Sequence, residues 1–281
     1  MSDVVGFIGL GQIGAPMATR LVGWPGGLVV FDVVPDAIAP LVDAGAKAAA
    51  SVAEVGSTAD VISVMVRDDA QVREVVAELL TTATAGTVIA VHSTITPETA
   101  EEVATSAAAA GVHVLDAPVS GGFMGAHDGT LAVLVGGDRE AYEKVKEPFA
   151  RWATLVAHFG AVGNGTRAKL ARNLMHFIAY TGAGEAQRLA EAAGLDLRKL
   201  AQVVRHSDGV TGGPGAIMVR GTAAPMAPDD DFHTIFTHTR ELGEKDLRLA
   251  LAMGRELGVD LPLGDLALRD FGKSLGLTDQ A

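Results

Sequence analysis

No cysteine occurs in the 281 residues. Disulfides, thiolate nucleophiles and Cys-based zinc or iron–sulfur sites are thereby excluded, which fits a reducing compartment. Positive charge is scarce: 22 Lys and Arg stand against 34 Asp and Glu, a formal net charge of −12. With no long basic run, the chain lacks the clustered cations that binding a duplex or an anionic membrane surface demands. Neither nucleic acid nor membrane is an expected partner. Aromatic residues make up 5%, and no basic or aromatic-cage module is appended. Nothing approaches the roughly 20 continuous apolar residues that span a bilayer. The uncharged segment from Val4 to Thr19 has no Lys or Arg before Arg20 and is broken by glycines, Gln12 and Pro16, so no export signal is read there. A soluble, cytoplasmic protein is expected. The acidic triplet Asp229-Asp230-Asp231 lacks the other spaced ligands of a calcium site. It reads as a solvated loop, and no metal site is expected.

What the chain does have is a 48% hydrophobic composition, enough for one large or two medium domains with a substantial core. A short apolar run, Val4 to Ile8, ends in Gly9-Leu10-Gly11-Gln12-Ile13-Gly14, and Ala15 to Val22 then reads as a helix with Pro16 in its first turn. The next apolar run, Leu28 to Phe31, ends at Asp32, 18 residues past Gly14. That pattern points to dinucleotide binding. Gly9 permits the tight turn, Gly11 lets the backbone approach a pyrophosphate, Gly14 lets helix and strand pack closely, and Asp32 accepts hydrogen bonds from ribose hydroxyls. A carboxylate followed by Val33 rather than Arg repels a 2′-phosphate, so NAD is favoured over NADP.

Strand and helix patterns alternate onward to about Phe159, implying a doubly wound parallel sheet. Val61 to Val66 and Thr87 to Val91 are strands; Asp68 or Asp69 caps the helix between them. His92 can equally be a surface histidine, whereas Ser93 and Thr94, at a strand's C-terminal end, belong to the candidate site. In Asp116-Ala117-Pro118-Val119-Ser120-Gly121-Gly122 a second glycine turn follows a strand, and the Ser120 hydroxyl with the Gly121 and Gly122 amides can form an anion nest. Beyond Gly163 strand signals largely vanish. Asn164, Gly165 and Thr166 open one long helix to about Gly194, on which Lys169 and Asn173 stand four apart on one face. Leu197 to Val204, Leu242 to Leu257 and a stretch after Pro262 read as further helices. The span from His206 to Gly215 reads as a polar, glycine-rich loop able to cover a pocket. Taken alone, Lys169 and Lys245 are unremarkable helix lysines.

Six motifs in order change that reading: GFIGLGQIGAPMA, FDVVPD, HSTITPE, DAPVSGG with the downstream GTLAVLVGG, GNGTRAKLARN and EKDLRLAL. Together, over nearly the whole chain, they resemble the β-hydroxyacid dehydrogenase family. The resemblance implies an NAD-binding Rossmann domain over residues 1–162 and an all-helical substrate and dimerisation domain over 163–281, joined by a long interdomain helix, in a homodimer or homotetramer. It implies Lys169 as general acid/base for a small hydroxy acid, Ser120, Gly121, Gly122 and Asn173 as substrate binders, and Lys245 near the cofactor. Thr94 and the backbone near Met65 and Val66 would touch the nicotinamide half of NAD. Three departures bear on the substrate. Arg172 stands where many members have Asn, Val66-Arg67 replaces a Leu-Pro pair, and His92 replaces an acid. The expected reaction is reversible oxidation of a 3-hydroxy carboxylate, 3-hydroxyisobutyrate first. Semialdehyde or imine reduction is the nearest alternative, and a non-catalytic cofactor sensor a distant one.

Overall fold

The computed structural model describes residues 3–278 and divides the chain into two compact units, one ending at Arg172 and one beginning at Asn173. The first unit is built on six parallel strands: β1 (Val5–Ile8), β2 (Leu28–Phe31), β3 (Lys47–Ala48), β4 (Val61–Val64), β5 (Val88–Val91) and β6 (His113–Asp116). Their order in the sheet is β3-β2-β1-β4-β5-β6. Winding therefore reverses between β1 and β4, the switch point at which such sheets bind ligands beyond their C-terminal edges. Helices α1 (Gly14–Thr19), α2 (Pro35–Asp43), α3 (Val52–Thr58), α4 (Asp69–Leu79) and α5 (Pro97–Ala108) provide the crossovers.

Near-continuous apolar strands such as VISV and VIAV are what a sheet covered on both faces requires. Alternate residues enter two separate cores: Phe7, Val61, Val88 and Ala90 join one, and Ile8, Ile62, Val64, Ile89 and Val91 the other.

The parallel sheet ends at β6. After it, β7 (Val119–Ser120), β8 (Leu131–Val135) and β9 (Ala153–His158) form a second sheet, with β7 antiparallel and β9 parallel to β8. Asp116 bridges Gly136, and Pro118, which has no N–H to extend a ladder, turns the chain between the two sheets. Helix α6 (Gly122–Asp128) connects β7 to β8, and α7 (Arg139–Phe149) connects β8 to β9. Helix α8 (Asn164–Ala192) starts in the first unit.

Among its described residues the second unit has helices and no strand: the rest of α8, then α9 (Leu197–Thr211), a 3-10 segment (Gly213–Ile217), α10 (His233–Leu257) and α11 (Pro262–Ser274), with turns and irregular chain between residues 218 and 232. The glycine-rich span from His206 is not a loop. Helix α9 takes up its first part, to Thr211, and stops at Gly212, whose φ is +90°; the rest, to Gly215, opens the 3-10 segment. The Ser207 and Thr211 hydroxyls donate to carbonyls of Val204 and Ser207, both 3.0 Å, so polar side chains that suggested a loop are satisfied within the helix. Asp230 is also more than a solvated acid: it faces Arg220 at 3.4 Å and accepts the Phe232 N–H. Glu185, buried on α8, accepts the Leu263 and Gly264 amides at the start of α11, a carboxylate at a helix N-terminus.

Candidate active site

The glycine turn after β1 is shaped by close approach of backbone to backbone. Gly9 has φ +91°, and a Cβ there would strike the Met65 carbonyl oxygen; a Cβ on Gly14 would strike the Gly9 carbonyl oxygen. Nothing lies within 4 Å of a Cβ built on Gly11, so this residue faces open space where a ligand can approach. Asp32, at the end of β2, locks the turn. Its Oδ2 accepts the Leu10 N–H at 2.6 Å and its Oδ1 the Val34 N–H at 2.8 Å. Each oxygen keeps acceptor capacity, and Asp32 remains half-exposed. Gly11, Gln12, Ile13, Asp32, Met65 and Val66 are among the residues lining a cleft of about 720 Å³, within the range of small-molecule and cofactor sites. An open cradle at a glycine turn and an acid with spare acceptors fit a dinucleotide.

At the neighbouring strand ends, Ser93 proves to be a fastener. It is buried; its hydroxyl donates to the Val66 carbonyl at 2.7 Å and accepts the Val66 N–H at 2.9 Å. Thr94, the next residue, is exposed. His92 is not on the surface. It is 1% exposed, lies between the Ala117 carbonyl (Nδ1, 2.8 Å) and Ser63 Oγ (Nε2, 3.0 Å), and packs edge-on against Phe149 and Trp152. Burial pushes its pKa down to about 4, so the imidazole is neutral and structural. A polar residue directly after an apolar strand gave no sign that α7 and its following turn would cover it.

The anion-nest candidates stand at the β7–α6 junction. Gly121 and Gly122 have φ of +134° and +64°, two successive residues in a region that side chains disfavour, and both are exposed; Ser120 is half-exposed. Four residues before Ser120, the Asp116 side chain is wholly buried. Its two oxygens accept the Gly163 N–H at 2.8 Å and the Thr166 N–H at 2.7 Å. These are orphan donors at the base of α8. Burial raises the Asp116 pKa, opposed by these amide hydrogen bonds. The backbone of Gly165 comes close against β6 and β8, where a Cβ would meet the Leu134 and Asp116 carbonyl oxygens. The nest segment and the helix bearing Lys169 are thus tied through one carboxylate. Sequence spacing did not reveal this role for Asp116, because its partners lie 47 and 50 residues away.

Lys169, one turn beyond Thr166, is 8% exposed, and no carboxylate lies within 4 Å of its ammonium among the described residues. Desolvation, with a smaller contribution from the Arg172 charge, lowers its pKa to about 8. The Arg172 departure is therefore felt at Lys169. Asn173 follows four residues after Lys169 on the same helix. Lys245 lies on α10 in the second unit, exposed, with its ammonium 3.2 Å from Asp246. Among the described residues no cluster of His, Asp and Glu could hold a metal ion, and no helix is long and apolar enough to cross a membrane.

A parallel sheet with a glycine-lined cleft at its switch point, followed by a helical unit, is the architecture of a dinucleotide-binding protein. Comparison with known proteins carries this further. Residues 4–160 match the family described as the NAD binding domain of 6-phosphogluconate dehydrogenase. Residues 163–274 match the NAD-binding domain of NADP-dependent 3-hydroxyisobutyrate dehydrogenase. An uncharacterized oxidoreductase of Mycobacterium tuberculosis is 56% identical over 97% of this chain and 93% of its own length. The NAD-dependent L-serine dehydrogenase of Pseudomonas aeruginosa is 37% identical over 94% of this chain and 89% of its own. A crystal structure of a putative oxidoreductase from Mycobacterium avium 104 superposes with a TM-score of 0.95 at 54% identity, covering 99% of this chain and 100% of that one. The chain belongs to the β-hydroxyacid dehydrogenase family. It is an oxidoreductase with an NAD(P)-binding domain.

Proposed function

We propose that the protein catalyses reversible, NAD-dependent oxidation of a small 3-hydroxy carboxylate, with 3-hydroxyisobutyrate the leading substrate and L-serine next. The observation that carries this reading is Lys169: a buried amine without an acidic partner among the described residues, its pKa lowered to about 8, on a helix whose base is tied to the nest segment by Asp116. An ordinary lysine, at about 10.4, is almost wholly protonated near neutrality and a poor base; this one is poised to exchange protons.

In the proposed mechanism the Ser120 hydroxyl and the Gly121 and Gly122 amides bind the substrate carboxylate, and Asn173 binds near the hydroxyl. Neutral Lys169 takes the hydroxyl proton. NAD, when bound, supplies the hydride acceptor. In the reverse direction the Lys169 ammonium donates to the developing alkoxide. Preference for NAD rests on Asp32 and on Glu74 and Glu78, acids that also line the cleft and disfavour an added 2′-phosphate. The roles given to Met65, Val66, Thr94 and Lys245 toward the cofactor, and assembly as a homodimer or homotetramer, belong to the same proposal.

Because oxidation requires neutral Lys169, kcat/KM for the hydroxy acid is expected to rise with pH to a plateau above about 8, and that for reduction to fall through the same range. An oxidation rate independent of pH between about 6.5 and 9.5 would remove Lys169 as the base. The methyl ester of the same hydroxy acid tests the nest. Without a carboxylate it should lose about a hundredfold in kcat/KM; turnover equal to the acid sinks that assignment.

A further inference from the structure

The dinucleotide cleft poses an electrostatic puzzle. Its charged lining is Asp32, Glu74, Glu78 and Arg67, three acids and one base, in a chain of net charge −12, whereas the cofactor carries a diphosphate. Backbone amides of the glycine turn and the short α1 supply only partial charge.

Arg67 is held ready for that charge. Its own N–H donates to Gln71 Oε1 at 3.0 Å, while the preceding residue, Val66, is gripped at both backbone atoms by the Ser93 hydroxyl. The backbone is thus fixed on either side of the Arg67 peptide, which reduces the ordering cost of binding. Its side chain is exposed, and no carboxylate lies within 4 Å of the guanidinium among the described residues. Of the nearby acids, Asp68 caps Gln71, Asp69 takes the Thr96 amide and hydroxyl, and Glu78 takes the Ala53 N–H; Glu74 shares the cleft lining but lies more than 4 Å from the guanidinium.

Strand order says which phosphate it meets. Asp32 ends β2 and Arg67 follows β4, on opposite sides of β1. At about 4.8 Å per strand spacing their backbones stand roughly 10 Å apart, with the glycine turn between them. We propose that Arg67 is a cofactor-affinity residue whose guanidinium pairs with the diphosphate of the bound dinucleotide, not with a 2′-phosphate at the Asp32 end. This rests on the family's NAD(P) binding and extends the proposed use of NAD. A planar, permanently charged fork suits a diphosphate, and an arginine outside the glycine turn can make up for the acidity of the rest of the cleft.

The test is binary binding, read by NADH and NADPH fluorescence with the purified protein, for wild type, Arg67→Ala and Arg67→Lys. Arg67→Ala is expected to weaken NADH and NADPH by the same factor, about tenfold at low salt, with Arg67→Lys intermediate. The difference from wild type should shrink between roughly 50 and 200 mM NaCl. Displacement by adenosine, which has no phosphate, should be unchanged. Unaltered NADH affinity overturns the proposal, as does a loss confined to NADPH, which would put Arg67 on the 2′-phosphate, or an equal loss for adenosine, which would make it an adenine-stacking residue. NAD preference is read separately, from the NADH to NADPH ratio in the wild type, so either idea can fail without the other.

Discussion

Lys169→Ala should lower kcat for hydroxy acid oxidation about a thousandfold, within the range that removal of a positioned general base produces, while NADH affinity changes less than about twofold. The separation follows from placement. Lys169 stands on α8 after the Thr166 turn, whereas the cleft is lined by residues of the β1, β2 and β4 ends, so truncation touches the proton and leaves the dinucleotide cradle intact. Low rates of the variant should also lose the pH dependence centred near 8. Stopped-flow single turnovers with NADH fluorescence measure both quantities. A variant within about tenfold of wild type would remove Lys169 from the chemistry.

Asp116→Ala should cost about 2–4 kcal/mol of stability. It strands two buried amides, Gly163 and Thr166, at roughly 1–3 kcal/mol each, less what is regained by removing a desolvated carboxylate. Asp116→Asn, which keeps one acceptor, should cost about half as much. Urea unfolding at constant m value reads both. Because the same carboxylate ties the nest segment to the base of α8, kcat should fall in the folded variants while NADH affinity holds. A stability change below about 0.5 kcal/mol would mean that water replaces the cap.

Legibility in the sequence followed the range of the interactions. The glycine turn and Asp32 were readable because turn, helix start and acid lie within one strand–helix–strand unit; the reason for the glycines is close backbone packing, Gly9 against the Met65 carbonyl and Gly14 against the Gly9 carbonyl. The parallel sheet was readable from apolar runs of strand length, but its end at β6 was not, since the Asp116–Gly136 bridge spans 20 residues. After the same strand, Ser93 reads as a site residue and His92 equally as a surface histidine, and the fold gives both a structural place. One fastens Val66 and the other is sealed beneath Phe149 and Trp152, a distinction made by α7, more than 45 residues later. The span from His206 to Gly215 misled because Ser, Asp, Gly and Thr are turn formers by composition; α9 absorbs its first part, to Thr211, through hydroxyl bonds to its own carbonyls, and a 3-10 segment takes the end. Lys169 enters the candidate site through its spacing to Asn173 and its motif; its burial and lowered pKa are properties of the fold.

The most direct test of the proposed reaction is NADH formation followed by absorbance, with NAD and NADP in parallel, across 3-hydroxyisobutyrate, L-serine, 3-hydroxypropionate and their 2-hydroxy isomers. Turnover of a 3-hydroxy acid with NAD at least about tenfold better than with NADP, and none of the 2-hydroxy isomers, is the expected result. NADP-dependent turnover would contradict the NAD preference; silence on every acid by a protein that still binds NADH would contradict the reaction and turn the search to aldehyde or imine reduction.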